Sequence, residues 1–149
     1  MKAIAFTALL AAFIATTAAR AAVPPGWTDD YAKAVEKAKA ENKNILLDFT
    51  GSDWCGWCIK FDKETLSTDK FAEYAKAHLE LVVVDFPNKK PQSDDLKAAN
   101  KALQKKYDVD GFPTFVLLNA DGKEIGRQVG YTPGGPDAFI AKLDKFSQK

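Results

Sequence analysis

Histidine occurs once, at position 78, and cysteine twice, at positions 55 and 58, in a chain of 149 residues. A structural zinc site takes four such ligands, and these three do not make one. A haem attached through a Cys-x-x-Cys pair needs histidine directly after the second cysteine, and that residue is Ile59. His78 therefore reads as a surface or packing residue near a helix end, and no metal site is expected. One cysteine pair is not a disulfide framework; at this length a hydrophobic core holds the fold. The chain also lacks a basic block. Its formal net charge is +1, which argues against nucleic acid as a partner. No internal repeat and no second domain can be discerned.

Long apolar runs are equally scarce, and the one that exists is at the N-terminus. Lys2 is a minimal positive region, residues 3–15 are rich in Ala, Leu, Ile and Phe, and Ala19-Arg20-Ala21 supplies a small-x-small cleavage pattern. Residues 1–21 are thus expected to be a signal peptide, leaving residues 22–149 as a single domain. A retained anchor would need roughly 20 strongly apolar residues, and much of this run is Ala and Thr. Without Lys2 and Arg20 the 21 basic residues fall to 19 against 20 acidic ones, a net charge of −1. Export to the periplasm or the extracellular space, with no stable membrane insertion after cleavage, places the cysteines where disulfides form and persist.

What is present is an alternation of helical and extended patterns. Residues 27–40 carry Trp27, Tyr31, Ala34, Val35 and Ala38 at helical spacing, with Thr28 as N-cap and Asp29 and Asp30 in the first turn. Residues 45–50 form a nearly continuous apolar strand of the kind covered on both faces. Helical character then runs from Cys55 to Leu79, with a break at Leu66-Ser67-Thr68-Asp69. Residues 81–86 are a second buried strand, and 87–93 a polar loop with two prolines. A helix over 94–107 places Leu96, Ala99, Leu103 and Tyr107 on one face. Strands over 114–119 and 123–129 are joined by the hairpin signal Asp121-Gly122. A last helix over 137–147 buries Phe139, Ile140, Leu143 and Phe146. Helices between the early strands imply parallel neighbours, and the closing hairpin an antiparallel edge. The fold class is α/β, a mixed sheet with helices on both faces.

Both cysteines lie in Trp54-Cys55-Gly56-Trp57-Cys58, directly after the strand 45–50. A staple across so short a loop removes little entropy from the unfolded chain, whereas two thiols at this spacing can close and reopen. The pattern points to thiol–disulfide redox chemistry. Cys55 stands where a helix begins, and unpaired N–H groups there stabilise a thiolate. Cys58, one turn inside, can reach it. Gly56 permits a tight turn, and Trp54 and Trp57 cover the sulfurs with apolar surface while leaving one face open. Asp48 interrupts the strand, where an ionised carboxylate is costly. It is either a proton acceptor beneath Cys58 or an acid at the strand's end satisfied by backbone or water. Gly111-Phe112-Pro113-Thr114 precedes a strand, with Pro113 either trans in a simple loop or cis.

These stretches in this order, with Gly130 and the last helix, resemble the thioredoxin superfamily over nearly all of the chain beyond residue 21. The chain is also similar to small exported thioredoxin-like proteins with a Gly-Ser-x-Trp-Cys-x-x-Cys stretch. Cys58-Ile59-Lys60-Phe61-Asp62-Lys63-Glu64-Thr65-Leu66-Ser67 further resembles the periplasmic thioredoxin-like domain of the transmembrane thiol reductase. The resemblance implies a thioredoxin-like fold in which Cys55 attacks a substrate disulfide and Cys58 resolves it. It implies a buried acid at Asp48, a cis Pro113 against the cysteines, and Phe112 backbone pairing with an extended substrate. Thr114 and Gly130 would border the same groove. The chain departs from thioredoxins in having Gly56-Trp57 between the cysteines, a turn at Gly51-Ser52-Asp53 longer by one residue, and an inserted loop at 87–93.

The function expected is thiol–disulfide exchange with protein disulfides, as a reductase or electron relay. It needs a thiol redox partner and no cofactor beyond the Cys55–Cys58 couple, and a monomer is expected. Two other readings compete. One is a binding or chaperone module whose cysteines are not catalytic; the other is a disulfide oxidase or isomerase.

Overall fold

The computed structural model describes residues 23–148; the signal peptide expected at 1–21 lies outside them. The elements run β1 (Trp27–Thr28), α1 (Tyr31–Glu41), β2 (Asn44–Thr50), α2 (Gly56–Phe61), a π-helical turn (Asp62–Leu66), α3 (Asp69–His78), β3 (Leu79–Asp85), α4 (Asp94–Lys106), β4 (Thr114–Leu118), β5 (Glu124–Val129) and α5 (Gly135–Ser147). The sheet has the order β1-β3-β2-β4-β5. β1, β3 and β2 run parallel, β4 is antiparallel to β2, and β5 closes the hairpin antiparallel to β4.

β2 is central, and its side chains divide the molecule. Ile45, Leu47 and Phe49 enter one core with Ala34 and Ala38 of α1, Leu103 of α4 and Tyr107 just past its end. Leu46 enters the other, with Phe61, Phe71, Ala75, Phe139 and Leu143 from α2, α3 and α5. Alternation along the strand sends Asp48 to the side of Leu46, the face covered by the helix that begins at the cysteines. α5 lies so close to β5 that a Cβ on Gly126 would come within 2.2 Å of the Phe146 ring.

Most element boundaries agree with the periodicity, and the exceptions have local causes. Thr28 does not cap α1. Trp27 and Thr28 instead pair with Leu81 and Val82 as an edge strand, and Asp30 is the cap, accepting from Lys33 N–H at 3.0 Å. Two strand residues are too few for either period to register. β3 begins at Leu79 rather than 81, because the chain leaves α3 directly into pairing with Asn44. The expected break at 66–69 is real: Thr68 caps α3 by accepting from Phe71 N–H. It is preceded by the π-helical turn, which apolar spacing does not reveal. On α4, Ala99 is exposed and Asn100 is buried in its place, with Nδ2 donating to the Asp85 carbonyl at 2.9 Å.

Candidate active site

Gly51-Ser52-Asp53 carries the chain from the end of β2 to the cysteines. Cys55 N–H donates to the Gly51 carbonyl at 2.9 Å, closing a turn that presents Cys55 as the N-cap of α2. Its sulfur accepts from Cys58 N–H at 3.2 Å, taking up one of the unpaired donors of the helix start. Cys55 and Cys58 are joined as a disulfide with Cα atoms 5.2 Å apart, and both are buried. Gly56 has no positive φ, and a Cβ there would meet nothing within 4 Å. The turn therefore does not require glycine; its absence of a side chain keeps that flank of the disulfide open.

Two aromatic groups border the pair. Trp54 lies over Gly51, where a Cβ would stand 2.4 Å from the indole, and its Nε1 donates to the Phe86 carbonyl at 2.7 Å. Phe112 meets Trp54 edge-on at 6.0 Å between centroids and stacks on Phe86 at 5.1 Å. On the Cys58 side, Trp57 stacks on Tyr131 at 5.0 Å, and Phe61 meets Tyr131 edge-on at 6.2 Å.

The Phe112–Pro113 bond is cis and Pro113 is buried. Its carbonyl accepts from Gly130 N–H at 2.8 Å, with Gly130 in the left-handed region at φ 79°. Thr114 anchors the same segment, its hydroxyl donating to the Gly111 carbonyl at 2.8 Å. The polypeptide around Phe112–Thr114 is thus fixed from both sides.

Asp48 is buried in mid-strand, 8% exposed, and its Oδ1 has no hydrogen-bond partner. Burial pushes its carboxyl well above the usual carboxylate range, and the negative charges of Asp62 and Asp85 push it the same way. An acid at a strand's end satisfied by its neighbours does not describe it.

Several residues of this region were not singled out by sequence. Asp53 accepts from the backbone N–H groups of Asn88, Lys89 and Lys90 at 2.9, 2.7 and 2.9 Å. Ser52 donates through N–H and hydroxyl to Asp85. The Gly51-Ser52-Asp53 turn and the loop over 87–93 thus hold one another. Tyr131 carries no sequence signal beyond being an aromatic residue directly after Gly130, and Glu64 has none apart from the stretch that contains it. A cavity of about 610 Å³ between α1 and α4, lined by Tyr31, Leu96 and Leu103, includes neither cysteine. Among the described residues, no group of three or more His, Cys, Asp or Glu side chains is arranged to hold a metal.

A family model for a thioredoxin-like domain matches residues 31–147. The chain is 43% identical over 115 residues to the disulfide bond reductase DsbH of Chlamydia pneumoniae, covering 77% of this chain and 69% of that protein. It is 33% identical over 129 residues to the thioredoxin-related protein DsbJ of the same organism, covering 83% of this chain but only 37% of DsbJ. A solved DsbH oxidoreductase structure superposes with a TM-score of 0.77 at 41% identity, covering 82% of this chain and 83% of that one. The chain belongs to the thioredoxin-like family, and with its Cys55–Cys58 disulfide at the start of α2 it is a thiol–disulfide oxidoreductase.

Proposed function

We propose that this protein is an exported reductase or electron relay acting on protein disulfides, with residues 1–21 removed as a signal peptide and residues 22–149 acting as a monomer. The observation that carries the reading is Cys55 as N-cap of α2 with its sulfur on the Cys58 N–H. That position stabilises a thiolate and leaves the second sulfur one turn away. In the reduced protein the Cys55 thiolate attacks one sulfur of a client disulfide. A Cys55–client bond forms and the other client sulfur leaves as a thiolate. Cys58 then loses its proton to Asp48 and attacks the Cys55 sulfur, releasing the second client thiolate. The client gains two electrons and the protein is left with the Cys55–Cys58 disulfide, to be reopened by a dithiol donor. A carboxyl whose proton affinity is raised by burial is a better acceptor for that proton than an exposed carboxylate.

The client's backbone lies along Phe112, with Pro113, Thr114 and Gly130 forming the bed of the groove and Trp54, Gly56 and Trp57 its margins. The reducing direction is supported by Trp57 at the position between the cysteines where a histidine would stabilise the Cys55 thiolate. Asp62 and Asp85 add negative charge around Asp48, which disfavours a second anion at Cys58 while the helix start still favours one at Cys55. The relative named a disulfide bond reductase points the same way.

Cys58→Ser removes the resolving thiol, so mixed disulfides on Cys55 should accumulate on mixing with oxidised client proteins and vanish in Cys55→Ser. Wild-type protein should reduce insulin disulfides with dithiothreitol as donor. No adducts with Cys58→Ser, together with no insulin reduction by the wild type, would sink the reading.

A further inference from the structure

Trp57 is 58% exposed, a large apolar surface left open beside the reacting disulfide, yet it is firmly held from behind. Tyr131 stacks on it with an interplanar angle of 30°. The Tyr131 hydroxyl donates to Glu64 Oε2 at 2.7 Å, tying the ring to the π-helical turn. Lys60 Nζ stands 5.5 Å from the Trp57 ring and 4.9 Å from the Tyr131 ring, with Glu64 at 3.9 Å. Lys60 and Glu64 balance in charge, so the assembly offers apolar surface without a net field. Tyr131 also follows Gly130, whose N–H is on the Pro113 carbonyl. One residue therefore links the cysteine helix, the π-helical turn and the proline segment, the two sides between which a client chain must lie.

We propose that Tyr131 is a positioning residue that sets client specificity. It fixes Trp57 as an aromatic wall on which a bulky apolar side chain flanking the client's reacting cysteine packs, in preference to a charged or small one. The inference rests on the thiol–disulfide reading of the site and adds the class of client that the site selects. An indole held by stacking and a latch loses little freedom when a side chain covers it, so the contact is expressed as faster exchange with the matching client. The wall lies beside the sulfurs and is not needed for exchange with a small disulfide that makes no flanking contact.

The test uses two peptide disulfides that differ only in the residue beside the reacting cysteine, leucine in one and glutamate in the other. The control disulfide is bis(2-hydroxyethyl) disulfide, which carries no bulky group beside its sulfurs. Wild-type protein, reduced beforehand, should show kcat/KM about tenfold higher for the leucine peptide, the range of one apolar pocket contact. Tyr131→Ala should bring the ratio close to one, mainly through KM, while the rate with the control disulfide and the Cys55–Cys58 potential stay at wild-type values. Tyr131→Phe, which keeps the stacked ring and loses the bond to Glu64, should retain most of the preference. An unchanged ratio in Tyr131→Ala, no preference in the wild type, or an equal fall with peptides and control would each overturn the proposal. A wild type inactive toward the control as well would overturn the oxidoreductase reading beneath it.

Discussion

Asp48 is the residue at which stability and chemistry pull in different directions. Its carboxyl is buried with Oδ1 unpartnered, and its affinity for a proton is raised by desolvation first and by Asp62 and Asp85 second. The folded chain therefore binds this proton more tightly than the unfolded chain, in which the carboxyl titrates near 3.8, the ordinary value for an aspartate. The sign follows from linkage: stability contributed by the group is complete below that value and is lost as pH rises toward the folded pKa. The loss proceeds at up to about 1.4 kcal/mol per pH unit. Asp48→Asn has no such proton to lose. Urea unfolding between pH 4.5 and 7.5 should show a falling stability in the wild type that is flatter in Asp48→Asn. Parallel slopes would mean that the proton affinity of Asp48 is not raised in the folded protein, leaving its carboxylate too weak a base to take the Cys58 proton. Sequence identified Asp48 as anomalous, since a carboxylate in an apolar strand stands out. It did not show on which face the acid lies, which only the partition of β2 between two cores decides.

Among the elements, the loops at the ends of β2 and β3 work as a pair. Asp53 gathers three backbone N–H groups from Asn88 to Lys90, and those bonds lower its pKa. A depressed acid contributes its share above the unfolded pKa and loses it as pH falls through the lowered one, so the tie persists in mildly acid solution. Asp53→Ala should speed amide exchange at Asn88, Lys89 and Lys90 while the amides of β2 keep their protection. Equal protection in the variant would show that the prolines alone order the loop. No spacing rule could have paired Asp53 with residues 35–37 positions away, whereas the strands and the Asp121-Gly122 hairpin were readable because their signals are local. Ile45, Leu47 and Phe49 announce a strand by their own character. The Trp27–Thr28 edge and the π-helical turn announce nothing, the first being too short and the second differing from an α-helix by one residue per turn. The cysteine motif was legible because its chemistry lies in adjacent residues. The Tyr131–Trp57 wall was not, because it joins residues that only the fold brings together.

For the whole molecule, the direction of electron flow is a question of stability. The potential of the Cys55–Cys58 couple in the folded chain differs from that in the unfolded chain by the difference in folding free energy between the oxidised and reduced forms. For two electrons, 30 mV corresponds to about 1.4 kcal/mol. A reductant is a protein whose fold is more stable with the disulfide closed, and an oxidant one whose reduced form is the more stable. Here Cys55 has Trp57, not a cation, in the interval to Cys58. The helix that carries Cys58 ends at Asp62, whose charge acts on Asp48, surroundings that raise the cost of a thiolate at Cys58. The oxidised protein should therefore melt at the higher temperature, and the gap should match the couple's potential against glutathione through the same cycle. It should also widen with rising pH, as thiolates form in the unfolded reduced chain and draw the reduced protein toward it. Lys60 offers a check, since its ammonium stands over Trp57 rather than beside a sulfur: Lys60→Met should leave the gap almost unchanged. A reduced form that melts above the oxidised one would reverse the assignment and make the protein a donor of disulfides.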